Sequence, residues 1–444
     1  MKIHFIGIGG IGMSALGDIC LELGYEVSGS DLKANERTEA LQSRGAKFYV
    51  GHQASNIPAG CSTVVFSNAV KPDNPEIREA LKKGASLLSR GAFLTQLFEI
   101  KETFGVVGSH GKTTTASFAA SALMSLDDTV SYYIGGILKQ TGRNGHWGEG
   151  ALAVIELDES DGSFLSFRKG KGALITNIEW EHVDYYSSEK DYKDAFAEFA
   201  RSFSGPLFIG ESAFESLKTE MTKGEDVLTV GLSKGDCRPE KWGNDFFIAH
   251  GHRCNLKKQG AHMVFDAFLV YTALTETGCD KTAVILGLEA YEGTGRRMEL
   301  LASVKGISLY DDYGHHPGEI EAVLKSFGRD MQTMVLFQPH RYSRFERFYK
   351  RFVDLFSSYG DYIIVLPVYA ASEQMTGGPQ SPAFVHELEQ TRENVLYAGC
   401  PEEAYHLIKA YLSSPMRLIS FGAGDGNAVV KRLAAELREG TWPM

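Results

Sequence analysis

The sequence predicts an α/β protein of three domains. Its 444 residues amount to about three domains at roughly 150 residues each. Short apolar runs alternate with longer helical patterns from Lys2 onward, the punctuation of strands that feed helices. Two glycine-rich loops, about 100 residues apart, each lie between an apolar run and a helical segment. Boundaries fall near residues 98 and 296, giving domains 1–98, 99–295 and 296–444.

Composition removes several classes of function. Lys plus Arg number 45 against 56 Asp plus Glu, and a net charge of -11 argues against a protein that coats nucleic acid or an anionic membrane. The six cysteines, at 20, 61, 237, 254, 279 and 400, contain no C-x-x-C pair, so neither zinc nor a disulfide scaffold is expected and a reducing, cytoplasmic setting is. The N-terminus enters an apolar run without a cleavage pattern and reads as a strand, not a signal peptide. The apolar stretch Met263 to Leu274 is too short to span a bilayer and contains Asp266, so no membrane helix is predicted.

The first strand, Ile3 to Ile6, runs into Gly7-x-Gly9-x-x-Gly12 and a helix expected from about Ser14 to Gly24. Glycines there let the backbone turn and approach a pyrophosphate, and the positive end of the helix attracts its charge. Asp31, just past the second strand, stands where a dinucleotide enzyme places a carboxylate on a ribose, so this segment alone suggests NAD. The strand Phe104 to Val107 leads to Gly108-Ser109-His110-Gly111-Lys112-Thr113-Thr114 and an Ala/Ser-rich helix. Val106 replaces the first glycine of a strict Walker motif, yet the working parts remain: backbone N–H groups to wrap phosphates, Lys112 to neutralise them, and the Thr113 hydroxyl for Mg2+. Two such loops imply two different anionic ligands.

The strand Ala151 to Ile155 ends in Glu156-Leu157-Asp158-Glu159-Ser160-Asp161, and Ala173 to Ile175 ends in Thr176-Asn177-Ile178-Glu179 followed by Glu181-His182-Val183-Asp184. Carboxylates at strand exits suit a hard cation, although Asp158, Asp161 and Glu181 taken singly read as solvated loop charges. A third series of strands begins near Ile307 and continues through Val335 to Phe337 and Tyr362 to Leu366. Gly231-Leu232-Ser233-Lys234-Gly235 matches a hydrolase elbow only formally, since a loop follows it. His250, His252 and Cys254 read as a polar hairpin and not as a zinc site.

An ordered series of segments makes the whole chain resemble the Mur ligase family, ATP-dependent amide-bond formers of bacterial cell-wall synthesis. It comprises GIGGIGMS (Gly7 to Ser14), SGSD (Ser28 to Asp31), SHGKTTT (Ser109 to Thr115), ELDESD (Glu156 to Asp161) and TNIEWEHVD (Thr176 to Asp184). Farther on come GTGRR (Gly293 to Arg297), DDYGHHP (Asp311 to Pro317), FQPHRYSR (Phe337 to Arg344), VYAA (Val368 to Ala371) and GAGD (Gly422 to Asp425).

The resemblance implies a Rossmann-like N-terminal domain for the UDP part of UDP-N-acetylmuramate, a central P-loop ATPase-like domain, and a Rossmann-like C-terminal domain for the amino acid. It implies that Gly9, Gly10, Ile11, Gly12, Asp31, Ser67, Asn68, Ala69 and His110 contact the sugar nucleotide. ATP would lie on Gly108 to Thr114, with Arg297 and Asp312 also reaching it. Thr113, Glu156 and His182 would hold Mg2+ (or Mn2+). Tyr313, His315, His340, Arg341 and Arg344 would surround L-alanine, with Lys112, His182, Arg297 and His315 catalytic and His315 a candidate base. For His340 a structural histidine at a strand end is the equal alternative.

The implied reaction joins L-alanine to the lactyl carboxylate through an acyl phosphate, in a cytoplasmic monomer or homodimer that needs neither nucleic acid nor membrane. Attachment of murein tripeptide in wall recycling, and a relative that binds nucleotide without turnover, are the alternatives. The second is motivated by one departure: where the family reads G-x-H-N-x-x-N-A-L, this chain has Met263 and Asp266 in place of both asparagines, which bears on nucleotide affinity or base choice.

Overall fold

The computed structural model describes residues 1–182, 185–220, 224, 226–371, 373–375 and 377–441. Val183 and Asp184, the end of the TNIEWEHVD segment, lie outside the described residues. The expected α/β class holds. The chain forms two compact units: Met1–Lys258 with His262–Thr294, and the chain from Gly295 onward with Gln259–Ala261.

The first unit carries two parallel-dominated sheets. In the first, β1 (Lys2–Ile6), β2 (Glu26–Asp31), β3 (Lys47–Val50), β4 (Thr63–Phe66) and β5 (Ser86–Ser89) run parallel in the order β3-β2-β1-β4-β5. Chain order reverses beside β1, so the loop leaving β1 opens at the switch point where α/β ligands bind. The second sheet comprises β6 (Glu102–Val107), β7 (Ser131–Leu138), β8 (Arg143–His146), β9 (Leu152–Glu156), β10 (Gly172–Ile175), β11 (Leu207–Gly210) and β12 (Val227–Val230). Its order is β12-β11-β10-β6-β9-β7-β8, which puts β6, the strand that feeds the second glycine loop, at the centre. Phe104, Val106 and Val107 of β6 are fully buried, and a strand covered on both faces reads as the continuous apolar run seen in the sequence.

The antiparallel β7–β8 hairpin was not anticipated, because Arg143-Asn144-Gly145-His146 has no apolar run to betray a strand. It lies against the first helix: Asn144 Nδ2 donates to the Ile11 carbonyl at 2.8 Å, and a Cβ on Gly145 would sit 2.5 Å from the Ala15 carbonyl oxygen. A three-stranded antiparallel sheet of β13 (Lys241–Trp242), β14 (Phe246–Ala249) and β15 (His252–Asn255) contains the expected polar hairpin, turning at His250. The formal G-x-S-x-G stretch is a loop with no helix after it, closed by Gly231 N–H donating to the Cys237 carbonyl at 3.1 Å.

The second unit is one sheet flanked by helices: β16 (Glu299–Val304), β17 (Ile307–Asp312), β18 (Gln332–Phe337), β19 (Tyr362–Val365), β20 (Val395–Tyr397) and β21 (Met416–Phe421). The order is β16-β17-β21-β18-β19-β20, parallel except for the β16–β17 pair. Asp312, Phe421 and Phe337 are in register, so the loops after β17, β21 and β18 emerge side by side at one edge. No helix among the described residues is long and apolar enough to cross a membrane.

Candidate active site

The first glycine loop is held by its neighbour strand. Gly7 and Ile8 N–H both donate to the Ser30 carbonyl, at 2.8 and 3.0 Å, and Gly9 N–H donates to Asp31 Oδ2 at 2.8 Å. Arg37 Nε and Asn35 Nδ2 close on the Gly9 carbonyl from the other side, at 2.7 and 3.2 Å. A Cβ on Gly9 would lie 2.8 Å from Asn35 Nδ2 and 2.9 Å from Asp31 Oδ2, so only glycine fits between them. The helix begins at Ile11, with Gly10 as N-cap, and ends at Glu22, three residues ahead of the start the sequence suggested. Its first turn is the motif itself, and Ser14 sits inside it, bonding back to the Ile11 carbonyl at 3.0 Å. Ser67 follows β4 across the switch point, against Gly7, and its Oγ accepts from Ala69 N–H at 3.4 Å. Asp31 is thus seen bracing the loop.

The second loop is stitched to the exit of β10. Asn177 accepts from Ser109 N–H at its backbone carbonyl (3.0 Å) and from His110 N–H at its side-chain oxygen (2.9 Å), and its amide donates to the His110 carbonyl at 2.8 Å. Thr176 Oγ1 donates to that same carbonyl at 2.6 Å. Ser109 Oγ bonds the Glu179 carbonyl at 2.9 Å and Tyr192 OH at 2.8 Å, and the His110 ring faces Glu179 Oε2 at 3.2 Å. The loop opens into the helix Lys112–Met124, whose Gly111 N-cap has φ +78° and whose first turn holds no acid, leaving its N-terminal charge for an anion.

Lys112 Nζ donates to the Gly108 and Ser109 carbonyls, at 2.6 and 3.0 Å, and to Glu159 Oε1 at 2.8 Å. Burial works against its charge, but Glu159 outweighs that and raises its pKa, so the side chain stays an ammonium. Thr113 Oγ1 donates to Glu156 Oε1 at 3.0 Å, and Glu156 Oε2 accepts from Gly135 N–H at 2.7 Å. His182, at φ +52°, turns its Nε2 to Glu159 Oε1 at 3.1 Å and to Glu181 Oε2 at 3.7 Å. Burial lowers the pKa of His182, and Glu159 and Glu181 more than reverse it.

The six residues therefore form two adjoining groups, Thr113 with Glu156 and His182 with Glu159, Glu181 and Lys112. Glu159 is 1% exposed, and among the described residues its Oε2 has no hydrogen-bond partner. Its carboxylate lies in a cluster with the Glu181 carboxylate and the His182 imidazole, a donor set that fits a divalent cation, while Thr113 and Glu156 offer a hydroxyl and a carboxylate to each other.

Two expectations need correction. Glu181 is buried at 4% exposure and Asp158 is ion-paired to Arg90, so neither is a solvated loop charge. Burial alone would raise the Asp158 carboxyl, but the Arg90 guanidinium and Ser160 hold it well below the usual range. Arg90 and Tyr133 line the candidate site without any sequence motif to mark them, while Glu159 and Asn177 carry no individual role in the motifs that contain them. A Cβ on Gly12 would meet Tyr133 OH at 2.3 Å and Arg90 at 3.0 Å, so these two side chains join the first loop to the acids after β9. The departure at Asp266 also has a place: its carboxylate lies 3.1 Å from where a Cβ on Gly111 would be, against the second loop.

In the second unit the loops after β17 and β18 bring the expected residues together. Asp312 accepts from Met298 and Gly314 N–H at 2.7 and 2.8 Å, and burial, opposed by Arg297, pushes its pKa up to about 6. Arg297 and Arg296 lie over the Tyr313 ring, at 5.4 and 4.9 Å, and Arg297 faces Glu319 at 3.8 Å. His315 Nδ1 bonds the Tyr313 carbonyl at 3.0 Å, and its ring is 5.5 Å from that of His340. His340 stacks on Tyr369 and receives Arg344 at Nδ1, 3.1 Å away. Arg341, at φ +66°, reaches Glu373 at 3.8 Å.

Burial, with His315, Arg344, Arg341 and Arg296 adding positive charge, pushes His340 down to about 3. In the unfolded chain its pKa is ordinary, about 6.5. As pH falls from there toward 3, the unfolded state takes up a proton that the fold refuses. Stability is lost at up to about 1.4 kcal/mol per pH unit. His340→Asn is expected to flatten that acid slope in a circular-dichroism titration, and an unchanged slope would show that His340 is not its source.

Family models cover most of the chain: the Mur ligase family catalytic domain at residues 2–101, the Mur ligase middle domain at 106–272, and the Mur ligase glutamate ligase domain at 296–424. The UDP-N-acetylmuramate--L-alanine ligase of Aquifex aeolicus (strain VF5) is 38% identical over 440 residues, 96% of this chain and 95% of that one. The enzyme of the same name from Hydrogenobaculum sp. (strain Y04AAS1) is 37% identical over 442 residues, 96% of each chain. Among solved structures, a UDP-N-acetylmuramate-alanine ligase from Thermotoga maritima matches with a TM-score of 0.84 at 27% identity, covering 99% of this chain and 100% of that one. A murein peptide ligase from Psychrobacter arcticus 273-4 shares the fold, with a TM-score of 0.69 at 20% identity and 98% of each chain covered.

Proposed function

The chain belongs to the Mur ligase family, and on that premise we propose that it joins L-alanine to the lactyl carboxylate of UDP-N-acetylmuramate, with ATP converted to ADP and phosphate. The observation that carries this is the pair of anion-binding loops, Gly7–Gly12 and Gly108–Thr113, on the central strands of two sheets in one compact unit. It is supported by near-full-length likeness to relatives named for that reaction. Residues 1–98 take the UDP-sugar, 99–295 the ATP and 296–444 the amino acid.

A carboxylate does not react with an amine, so its oxygen first attacks the γ-phosphorus and ADP leaves, giving an acyl phosphate. The amine then attacks the acyl carbon and phosphate departs. Phosphoryl transfer onto an anion is governed by positioning and charge. The amides of the second loop and the Lys112 ammonium oppose the crowded negative charge, and Arg297 is assigned the same task on the family likeness. Thr113, Glu156, Glu159 and His182 would hold Mg2+ or Mn2+, which supplies further charge neutralisation when bound. Amino acids arrive as ammonium ions, and His315, fixed by the Tyr313 carbonyl, is the assigned base. Arg341 and Arg344 are assigned to the amino-acid carboxylate.

The experiment is ADP release in the presence of UDP-N-acetylmuramate, ATP and Mg2+, with alanine, glycine, serine or murein tripeptide added separately. Alanine is expected to give the highest kcat/KM. ADP release that depends on tripeptide and not on alanine would replace this reading with the recycling activity.

A further inference from the structure

Behind the first glycine loop lies a buried carboxylate that the proposed reaction does not use. Glu76, at 0% exposure, sits in the first turn of the helix Pro75–Lys82. Its Oε1 accepts from Asn56 Nδ2 at 2.6 Å and from Gln53 N–H at 3.2 Å, and its Oε2 accepts from Ser30 Oγ at 2.6 Å. His52 Nδ1 is 2.9 Å from Ser30 Oγ and 3.4 Å from Glu76 Oε2, and His4 Nε2 approaches the same oxygen at 3.7 Å. Burial raises this carboxyl, but the nearby His4 imidazole and the hydrogen bonds from Ser30 and Asn56 more than offset it, so Glu76 is held below the usual range and ionised.

An ionised carboxylate only accepts. Ser30 has one hydroxyl proton and gives it to Glu76, so toward His52 it can only accept, and His52 Nδ1 must carry a proton. In the neutral imidazole Nε2 is then an acceptor. His52 lies two residues past β3, after Gly51, whose N–H bonds the Asp31 carbonyl at 2.7 Å, and its side chain is 18% exposed. It therefore stands beside Asp31 at the edge from which the glycine loop rises, one strand farther from the switch point, on the nucleoside side of a pyrophosphate held by Gly9 to Gly12.

We propose that Glu76 is a positioning residue that, through Ser30, fixes the tautomer of His52 so that Nε2 accepts from an N–H donor on the nucleobase, such as the imide N–H of uracil. This rests on the sugar nucleotide being the ligand of the first domain. Ser30 also holds Gly7 and Ile8 through its carbonyl, so one residue serves the loop with its backbone and the base contact with its side chain.

Glu76→Gln reverses the relay. The two donors at Oε1 select the amide oxygen for that position, which leaves the NH2 facing Ser30 and His52. Ser30 then donates to His52 Nδ1, and the proton moves to Nε2. Histidine 15N NMR of the full chain above pH 8, with His52→Asn assigning the signal, should show Nδ1–H in the native protein and Nε2–H in Glu76→Gln. Titration calorimetry should show UDP-N-acetylmuramate binding weakened about tenfold with ATP binding unchanged.

His52→Gln, whose amide can rotate to offer either polarity, should erase the Glu76→Gln penalty in the double variant. As a single change at a partly exposed site it should also remove a native preference for UDP over CDP. An unchanged tautomer, an equal loss of ATP affinity, or a UDP/CDP ratio untouched by His52→Gln would each overturn the proposal. These are binding measurements, so alanine-dependent ADP release alongside such a result sinks the relay alone, and absence of that release with the relay intact sinks the reaction alone.

Discussion

Lys112→Met is expected to lower kcat for alanine-dependent ADP release by at least about 10^3-fold, roughly 4 kcal/mol of transition-state stabilisation. The ammonium has two loop carbonyls and Glu159 as partners, and it is the one lysine or arginine of the Gly108–Thr113 loop, held charged against partial burial by Glu159. A thioether matches its stem and removes its charge. The substitution also strips Glu159, at 1% exposure, of its ammonium and leaves His182 as its cation. A thermal melt must therefore accompany the rate. A folded variant within tenfold of the native kcat would remove Lys112 from the chemistry.

Gly108→Ala should weaken ATP binding by about 30-fold or more, from roughly 2 kcal/mol of strain. Gly108 has φ +145°, and a Cβ there would lie 2.1 Å from Thr176 Oγ1 and 3.1 Å from the Asn177 carbonyl oxygen. Thr176 is fully buried and bonded to the His110 carbonyl, so it cannot yield without releasing the loop. UDP-N-acetylmuramate, assigned to the loop on the other sheet, should bind as before. Calorimetry with each nucleotide decides it, and ATP affinity within threefold of native would mean the loop tolerates a side chain at this position.

Much of the scaffold was legible because local signals agreed with burial. The runs at Ile3, Phe104 and Ile307 are strands since all three continue into sheet cores, and the loops after the first two were legible as strand-to-helix turns from their glycine spacing. The β7–β8 hairpin and β16 escaped notice because Asn144 and Gly145, and the stretch Glu299 to Val304 with no period-2 alternation, owe their strand state to partners rather than to their own composition. The helix start at Ile11 was missed for a related reason: glycines in the first turn read as loop until a sheet edge fixes them.

By itself the sequence determined the α/β class and the order of the glycine loops, because strand-to-helix turns are marked by particular residue types at short spacing. Tertiary structure alone decided that Asp158 belongs to Arg90, that Glu159 closes on Lys112 and His182, and that Glu76 reaches Ser30 and His52. Those pairings join residues 23 to 68 positions apart. Which of the chain's many carboxylates is buried against which cation is set by strand order, and strand order is written in no local pattern.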